Sequence, residues 1–177
     1  MVQAFIDKMV AEAGETLRGN RFKMKILFPA ILAVPDAISR SEFNCLATEA
    51  PGATIGTLEK PIYGGHKLKV PGNKVIPDWS CQLRLDGDLV TYRAIIKWIE
   101  YADSIATGLR APDISVFGGA EIKLYSGSDE VKQTWLLKYI FPTDPGPLSF
   151  SKEDADAEIT QDISWTINDI LTNTEQG

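Results

Sequence analysis

Hydrophobic and polar residues alternate along several short stretches of the chain, with the period of two that is typical of half-buried β-strands. The clearest stretch is 21–28, where Phe22, Met24, Ile26 and Phe28 share one face and Arg21, Lys23 and Lys25 share the other. Similar patterns predict strands at 42–48, 66–70, 79–85, 120–125, 131–141 and 158–166. The chain therefore consists mainly of short strands, about seven in number.

Each predicted strand has one apolar face that we expect to be buried. The residues expected to face inward are Phe43, Cys45 and Ala47; Trp79, Cys81, Leu83 and Leu85; Val131, Trp135, Leu137, Tyr139 and Phe141; and Ile159, Ile163, Trp165 and Ile167. The opposite face of the last strand is wholly polar, and its residues are Glu158, Thr160, Asp162, Ser164, Thr166 and Asn168. A strand with these two faces can pack on a core and border water.

Two stretches have the three- and four-residue spacing of amphipathic helices. Residues 2–17 predict an N-terminal helix within an arm at 1–19, and a central helix follows Asp88, a good N-cap residue. The central helix is predicted to bury an apolar stripe from Leu89 to Ala102. Its expected polar side consists of Thr91, Arg93, Lys97, Glu100 and Asp103. Strands on both sides of a helix indicate a β-sandwich or open barrel of two antiparallel sheets, with a flanking helix.

The remaining segments are predicted to be loops because they are rich in proline and glycine. Residues 29–40 contain two prolines, and 49–60 form a long extended loop with Pro51 and Gly52. Three prolines at 142–147 predict a turn, and 171–177 are expected to be a frayed tail. At 177 residues, the chain is expected to form one domain, 1–177.

Charge and hydropathy exclude some functions. The net charge is −6, and residues 151–177 alone carry seven acidic residues against Lys152, so the rest of the chain is neutral. An acidic segment of this kind argues against tight binding of nucleic acid, which needs clustered lysine and arginine.

The longest apolar run, 26–34, is too short to span a bilayer and contains a proline, so no membrane association is expected. The N-terminus has no basic cluster before an apolar stretch, so we expect no secretory signal.

The residue types that usually carry chemistry are sparse. The two cysteines, Cys45 and Cys81, are interpreted as small buried hydrophobes in a reducing compartment, with a disulfide between them as the open alternative. His66 is interpreted as a structural or interface residue. The acidic pairs Asp86/Asp88 and Asp154/Asp156 fit a strand-to-helix turn and a solvated loop. We therefore expect no enzymatic activity, no metal and no cofactor.

Four short motifs carry a resemblance to a known family. They are Ala47-Thr48-Glu49-Ala50-Pro51-Gly52, Tyr63-Gly64-Gly65, Lys69-Val70-Pro71-Gly72 and Asp78-Trp79. In this order, they resemble the tail tube proteins of contractile-tailed bacteriophages, from about Arg21 to Asp103 and more loosely to the C-terminus. Ala50 is a departure, since the family usually has leucine there.

The resemblance implies a structural subunit of a virion. Six copies would form a ring, with strands continuing across subunits into a closed barrel, and rings would stack into a hollow tube for DNA passage. The implied partners are further copies of the chain, the contractile sheath protein, the baseplate tube-initiator, the tape-measure protein and the tail terminator. Genomic DNA would be in transit and not tightly bound. The implied location is the phage tail, assembled in the host cytoplasm.

The resemblance and the strand patterns together suggest three surfaces. Ring-to-ring contacts are expected from the 49–60 loop, through Pro51, Gly52, Thr54, Ile55 and Glu59. The expected lumen lining is Glu158, Thr160, Asp162 and Ser164, although Lys23 and Lys25 also lie on a polar strand face and conflict with a uniformly acidic wall. The expected sheath-facing residues are Arg93, Lys97, Glu100 and Asp103.

Two alternatives remain open at this point. A baseplate tube-initiator, or a ring protein of a related injection machine such as a type VI secretion system, would share the fold and form single rings or cap a tube. A monomeric β-sandwich binding module would share the strand pattern but would not assemble.

Overall fold

The computed structural model describes residues 17–63, 66–104, 109–110, 112–148, 150 and 158–173. The predicted N-terminal helix at 2–17 lies almost entirely outside these residues. In chain order, the strands are β1 (Phe22–Leu27), β2 (Cys45–Thr48), β3 (Thr54–Pro61), β4 (Lys67–Val75), β5 (Trp79–Arg84), β6 (Asp103–Ser104), β7 (Leu109–Arg110), β8 (Gly118–Tyr125), β9 (Val131–Asp144), β10 (Thr160–Thr166) and β11 (Asp169–Asn173). The α-helices are α1 (Pro35–Asn44), α2 (Val90–Ala102) and α3 (Asp113–Val116).

Two antiparallel sheets share the long strand β9. The first sheet has the order β1-β8-β9-β11, and the second has the order β9-β10-β5-β2. Strands β3 and β4 form a separate two-stranded hairpin, as do the short strands β6 and β7. We call the two sheets with helices α1 and α2 the body. The expected class, mainly β with two antiparallel sheets and a flanking helix, is confirmed.

Aromatic rings form the centre of the body. Trp98 on α2 lies between Phe28 and Trp165, with ring centroids 5.5 Å from each, and Trp165 lies 5.9 Å from Trp79. The three tryptophans are buried, and each indole N–H has an acceptor. Trp98 donates to the carbonyl of Val116, for example, at 2.7 Å. Burying the N–H groups without acceptors would be costly, so these bonds let large aromatic side chains form the core.

A helix replaces much of the predicted loop at 29–40. Pro35 begins α1, because a proline at the first helical position loses no hydrogen bond. The prediction of a strand from residue 42 was also wrong, since α1 continues to Asn44 and leaves Phe43 77% exposed. The buried Ser41 joins this helix to β1, because its hydroxyl accepts from the Ile26 N–H at 3.0 Å and donates to the Ile38 carbonyl at 2.7 Å.

A bulge in β9 corrects the predicted face of Tyr139. Gly118 pairs with Ile140 and Gly119 pairs with Lys138, so Tyr139 is an extra residue in β9. Tyr139 has a φ of 54° and is 55% exposed, whereas Ile140 is fully buried. The backbone carbonyl of Tyr139 accepts a hydrogen bond from the Asn168 side chain at 2.7 Å. The bulge thus reverses the alternation halfway along the strand.

The start of α2 and the ends of the last strands also differ from the predictions. Asp88 does not cap α2, because Leu89 takes the N-cap position in a left-handed conformation with a φ of 52°. Thr91, predicted on the polar side, is buried, and Ile159, predicted to face inward, is 38% exposed. Residues 171–173 belong to β11, paired with β9, and are not frayed.

Candidate assembly surfaces

In the hairpin of β3 and β4, every residue of β3 is exposed, and so is every residue of β4 except Val70 and Gly72. Its cross-strand pairs give it two different faces: Leu58 lies opposite Val70, and Lys60 lies opposite Leu68. We call the face formed by these four residues the apolar face of the hairpin. Leu58 and Leu68 are 56% and 51% exposed, although leucine is usually buried in folded proteins. A contiguous exposed apolar face marks an interaction surface more often than scattered single residues do.

The opposite face of the hairpin is charged. Glu59 lies opposite Lys69, and the Glu59 carboxylate forms an ion pair with Lys67 at 2.9 Å. Near the base, Gly72 allows the two backbones to approach closely, since a Cβ there would lie 3.0 Å from the Gly56 carbonyl oxygen. The hairpin is therefore an amphipathic ribbon with its own ordered base.

The residues predicted to contact a neighbouring ring lie in this hairpin and just before it. Pro51 and Gly52 precede β3, while Thr54, Ile55 and Glu59 belong to it. The prediction of a loop at 49–60 was wrong from Thr54 onward, because these residues pair with β4. Their role in ring contacts stays a prediction. The Gly64-Gly65 pair just before the alternating stretch 66–70 is a sequence signal for a hairpin that the prediction of a loop missed.

The predicted lumen residues lie on or just before β10, at the surface of the second sheet. Thr160, Asp162 and Ser164 alternate with the buried residues Gln161, Ile163 and Trp165. Asp162 accepts a hydrogen bond from Gln82 at 3.0 Å. Just before the strand, Glu158 forms an ion pair with Arg84 at 3.2 Å. The structure brings the four residues to one surface, where one of the two acidic charges has a basic partner.

The first sheet carries the lysines that conflicted with an acidic wall. Lys23 forms an ion pair with Glu42 at 3.4 Å, and Lys123 forms one with Glu121 at 3.0 Å. The hydrogen bond that the Lys123 ammonium donates to the Glu121 carboxylate raises the pKa of Lys123. Lys25 lies opposite Glu121 in the strand register. This face has mixed charge with local pairing, so it is neither uniformly basic nor uniformly acidic.

The predicted sheath-facing residues lie at the surface of α2 and at its end. Arg93, Glu100 and Asp103 are exposed. Lys97 instead turns back toward its own chain, where its ammonium donates to the Leu32 carbonyl at 3.0 Å. Three of the four side chains are therefore free to contact a partner. The hydrogen bond of Lys97 instead ties α2 to the segment before α1.

Asp86 and Asp88, one of the acidic pairs considered for chemistry, are engaged in structural contacts. Arg40 on α1 forms ion pairs with Asp86 and with Asp88, the latter at 3.1 Å, and so connects α1 to the turn before α2. His66 is exposed and precedes β4, so the prediction that it lies within a strand was wrong.

Within the described ranges, no cluster of three or more histidine, cysteine or acidic residues could hold a metal ion. None of the described helices is long and apolar enough to cross a membrane.

Both cysteines are free thiols. Burial raises the pKa of Cys81 to about 12, although a hydrogen bond from the Trp165 indole at 3.2 Å partly opposes this shift. Burial likewise raises the pKa of Cys45 to about 12. Thiolate is the reactive form of cysteine, so both residues are poor nucleophiles near neutral pH.

Two apolar grooves flank Phe117. The first has a volume of about 410 Å³ and runs between the end of α2 and β9; its lining includes Ile99, Phe141 and Asp103. The second has a volume of about 460 Å³ and runs beside the β9 bulge; its lining includes Ile114, Tyr139 and Lys138. In the described part of the chain, the first groove is lined by one charged residue, Asp103, and the second groove is lined by one charged residue, Lys138. We call the first the acidic groove and the second the basic groove.

Comparison with known proteins identifies the fold. No protein-family model matches the sequence, and no curated protein matches it. Among solved structures, a chain of the PVC sheath-tube complex of an extracellular contractile injection system is similar over 95% of this chain and 97% of that chain, with a TM-score of 0.66 and 15% identity. This likeness extends over nearly the whole of both chains.

Two further matches come from the ends of such machines. A chain of the PVC sheath/tube terminator has a TM-score of 0.65 and 15% identity, covering 90% of this chain and 97% of that chain. A chain of the tube-terminating cap of the anti-feeding prophage has a TM-score of 0.65 and 18% identity, covering 90% and 91%. The chain therefore has a fold found in contractile injection systems.

Proposed function

We propose that this protein is a tube subunit of a contractile injection machine. Copies of the chain would form rings of six, and the rings would stack into a hollow conduit inside a contractile sheath. The observation that carries this proposal is the shared fold, which extends over 95% of this chain and 97% of a chain in a sheath-tube complex. The role proposed here is structural and not enzymatic.

Open sheet edges support assembly into a ring. In the described residues, β1, β2 and β11 each pair with a strand on one side only. Such edges carry unpaired N–H and C=O groups that can hydrogen-bond to another chain. Association of edges around a closed ring would satisfy those groups in every subunit without leaving a free end.

Within this proposal, three surfaces have separate roles. The hairpin, with Thr54, Ile55 and Glu59, would contact a neighbouring ring. Exposed residues of α2, such as Arg93 and Glu100, would face the sheath. The surface of Glu158, Thr160, Asp162 and Ser164 would line the lumen. Support for the last role comes from its polar, partly charge-paired character, which would let a charged cargo such as DNA pass without binding tightly.

The test is negative-stain electron microscopy of the purified protein, with light scattering on the same sample. We expect hollow rings or tubes with sixfold end views, and a scattering mass far above that of one 19.5 kDa chain. A protein that stays monomeric even with its baseplate and tape-measure partners would refute the proposal and favour a monomeric binding module.

Labelling of assembled tubes tests the lumen. Neither native thiol is readily reactive, so a single introduced cysteine can be followed. In tubes of Ser164→Cys, we expect modification by a small maleimide but not by a maleimide on a large polymer. In tubes of Glu100→Cys, both reagents should react. Equal reaction of Ser164→Cys with the large reagent would remove these residues from the lumen.

A second candidate is a terminator or initiator ring, and the matches to a sheath/tube terminator and to a tube-terminating cap favour it. Such a protein would bind the end of a tube without extending it. Mixing the chain with tube seeds distinguishes the two roles by length, because a tube subunit lengthens the seeds and a terminator stops their growth.

A further inference from the structure

The hairpin differs from the rest of the chain in charge. Residues 54–75 contain four lysines and one glutamate, which gives them a net charge of +3. Because the net charge of the whole chain is −6, the remaining residues together carry −9. Lys60 lies on the apolar face and has no ion-pair partner within the described part of the chain, whereas Lys67 is paired with Glu59. The chain thus presents a basic apolar ribbon on an acidic protein.

The acidic groove has the complementary properties. Its floor is apolar, built from Ile99, Val116, Phe117 and Phe141, and its one charged lining residue is Asp103. Among the described side chains, Asp103 has no hydrogen-bond or ion-pair partner. A basic apolar ligand would satisfy both the floor and this carboxylate.

We propose that the acidic groove of one copy receives the apolar face of the hairpin of a second copy, with Lys60 placed beside Asp103. This inference rests on the proposed function, and it identifies the surface that accepts the hairpin. A ribbon whose strand β3 has eight residues is about 26 Å long, enough to extend from one subunit onto the next. Within its own copy, β3 is exposed at all eight positions, and β4 is exposed at every position except Val70 and Gly72.

Charge distinguishes the two grooves as acceptors. The basic groove has a similar volume and a similarly apolar floor, but Lys138 lines it. A hairpin with a net charge of +3 would be repelled there, and like charges placed together across an interface are strongly unfavourable. The two grooves therefore make a matched pair, in which one is the proposed acceptor and the other is its control.

A charge exchange tests the contact. Lys60→Glu and Asp103→Lys should each raise the protein concentration needed for assembly by about tenfold, because each places like charges together. The double variant Lys60→Glu/Asp103→Lys should restore assembly toward the wild-type concentration. Lys138→Gln, which removes the charge of the other groove without making that groove acidic, should leave assembly near wild type. Light scattering during seeded assembly gives the concentration, and circular dichroism checks that each variant is folded.

The possible results separate this docking from the proposed function. If wild-type protein assembles but either single variant assembles equally well, the docking is overturned and the tube function stands. Failure of the double variant to recover assembly overturns it as well. If the wild-type protein does not extend seeds or form rings, the function on which the docking rests is overturned instead.

Cross-linking gives a second measurement that does not depend on the charge of the variants. Lys60→Cys protein and Asp103→Cys protein, carrying tags of different length, are mixed under assembly conditions and treated with a short bis-maleimide. We expect a covalent heterodimer, since the two positions would be adjacent in neighbouring copies. Replacing Asp103→Cys by Lys138→Cys should give almost none. Equal yields from the two pairs would overturn the assignment of the acidic groove.

Discussion

The body and the β3–β4 hairpin place apolar residues in opposite environments. In the body, Trp98 and Trp165 are fully buried and packed against each other. In the hairpin, Leu58 and Leu68 are more than half exposed. Burial of apolar surface is the main favourable term in folding, at about 25 cal/mol per Å². The body therefore gains this free energy within one chain, whereas the hairpin can gain it only from another molecule.

This difference predicts that substitutions in the two regions will affect different measurements. Changes in the body should lower the free energy of unfolding of the subunit. Changes on the hairpin should leave that free energy almost unchanged and weaken assembly.

The largest effect is expected for Trp98→Ala. Trp98 contacts Phe28 and Trp165 and donates to the Val116 carbonyl, so its removal leaves a large cavity and an unpaired acceptor. We expect a loss of about 4 kcal/mol in the free energy of unfolding, measured by urea denaturation. Tyr63→Ala on the hairpin loop is the control, since Tyr63 is fully exposed and should change stability little. Equal losses in the two variants would contradict the comparison.

A smaller effect is expected for Gly118→Ala. A Cβ at this position would lie 2.5 Å from both the Leu27 carbonyl oxygen and the Trp98 ring, so the backbone of β8 must shift. Overpacking of this kind costs about 2 kcal/mol, and urea denaturation should show it. Gly52→Ala is the matched control because a Cβ there meets nothing within 4 Å. A Gly118→Ala protein as stable as wild type would show that β8 and α2 are loosely packed.

The pH dependence of stability should report the buried thiol. The pKa of Cys81 is raised from 9.0 to about 12, so the folded state keeps the proton that the unfolded state loses above pH 9. This contribution is complete below pH 9 and is lost as pH rises toward 12, by at most about 1.4 kcal/mol per pH unit. The slope of unfolding free energy against pH should therefore be shallower in Cys81→Ala. Identical slopes would mean that water reaches the thiol.

The smallest effect on unfolding is expected for Leu58→Ser/Leu68→Ser on the hairpin. Both side chains are exposed, so the free energy of unfolding should change by less than about 0.5 kcal/mol. Assembly, followed by light scattering, should be lost because the proposed docking requires the apolar face. Leu137→Ser in the body is the contrasting variant and should unfold the subunit. A hairpin variant that is destabilised to a similar degree would place the hairpin in the core.

Strands with strict alternation were predictable from the sequence. The face of Phe22, Met24 and Ile26 and the pairing of 120–125 with 131–141 depend on local patterns that the structure preserves. The α1 helix was missed because prolines were interpreted as loop signals, although Pro35 occupies the one helical position where proline is favourable. For Tyr139, nothing in the local pattern reveals a bulge, which depends on pairing with residues about twenty positions earlier.

The candidate surfaces were predictable to a lesser degree. The polar alternation at 158–164 correctly grouped Thr160, Asp162 and Ser164, because residues two apart on a strand must share a face. The partners of these residues were not predictable, since Gln82 and Arg84 come from a strand far away in sequence. The grooves beside Phe117 were missed for the same reason: each combines residues from separate elements.

The sharing of β9 between the two sheets has a mechanical consequence. Its first part pairs with β8 and β11, and its last part, after the bulge at Tyr139, pairs with β10. A pulling force on one sheet would therefore reach the other along peptide bonds as well as through side-chain contacts. In the proposed tube subunit, we expect the two sheets to resist being pulled apart as a single load-bearing unit.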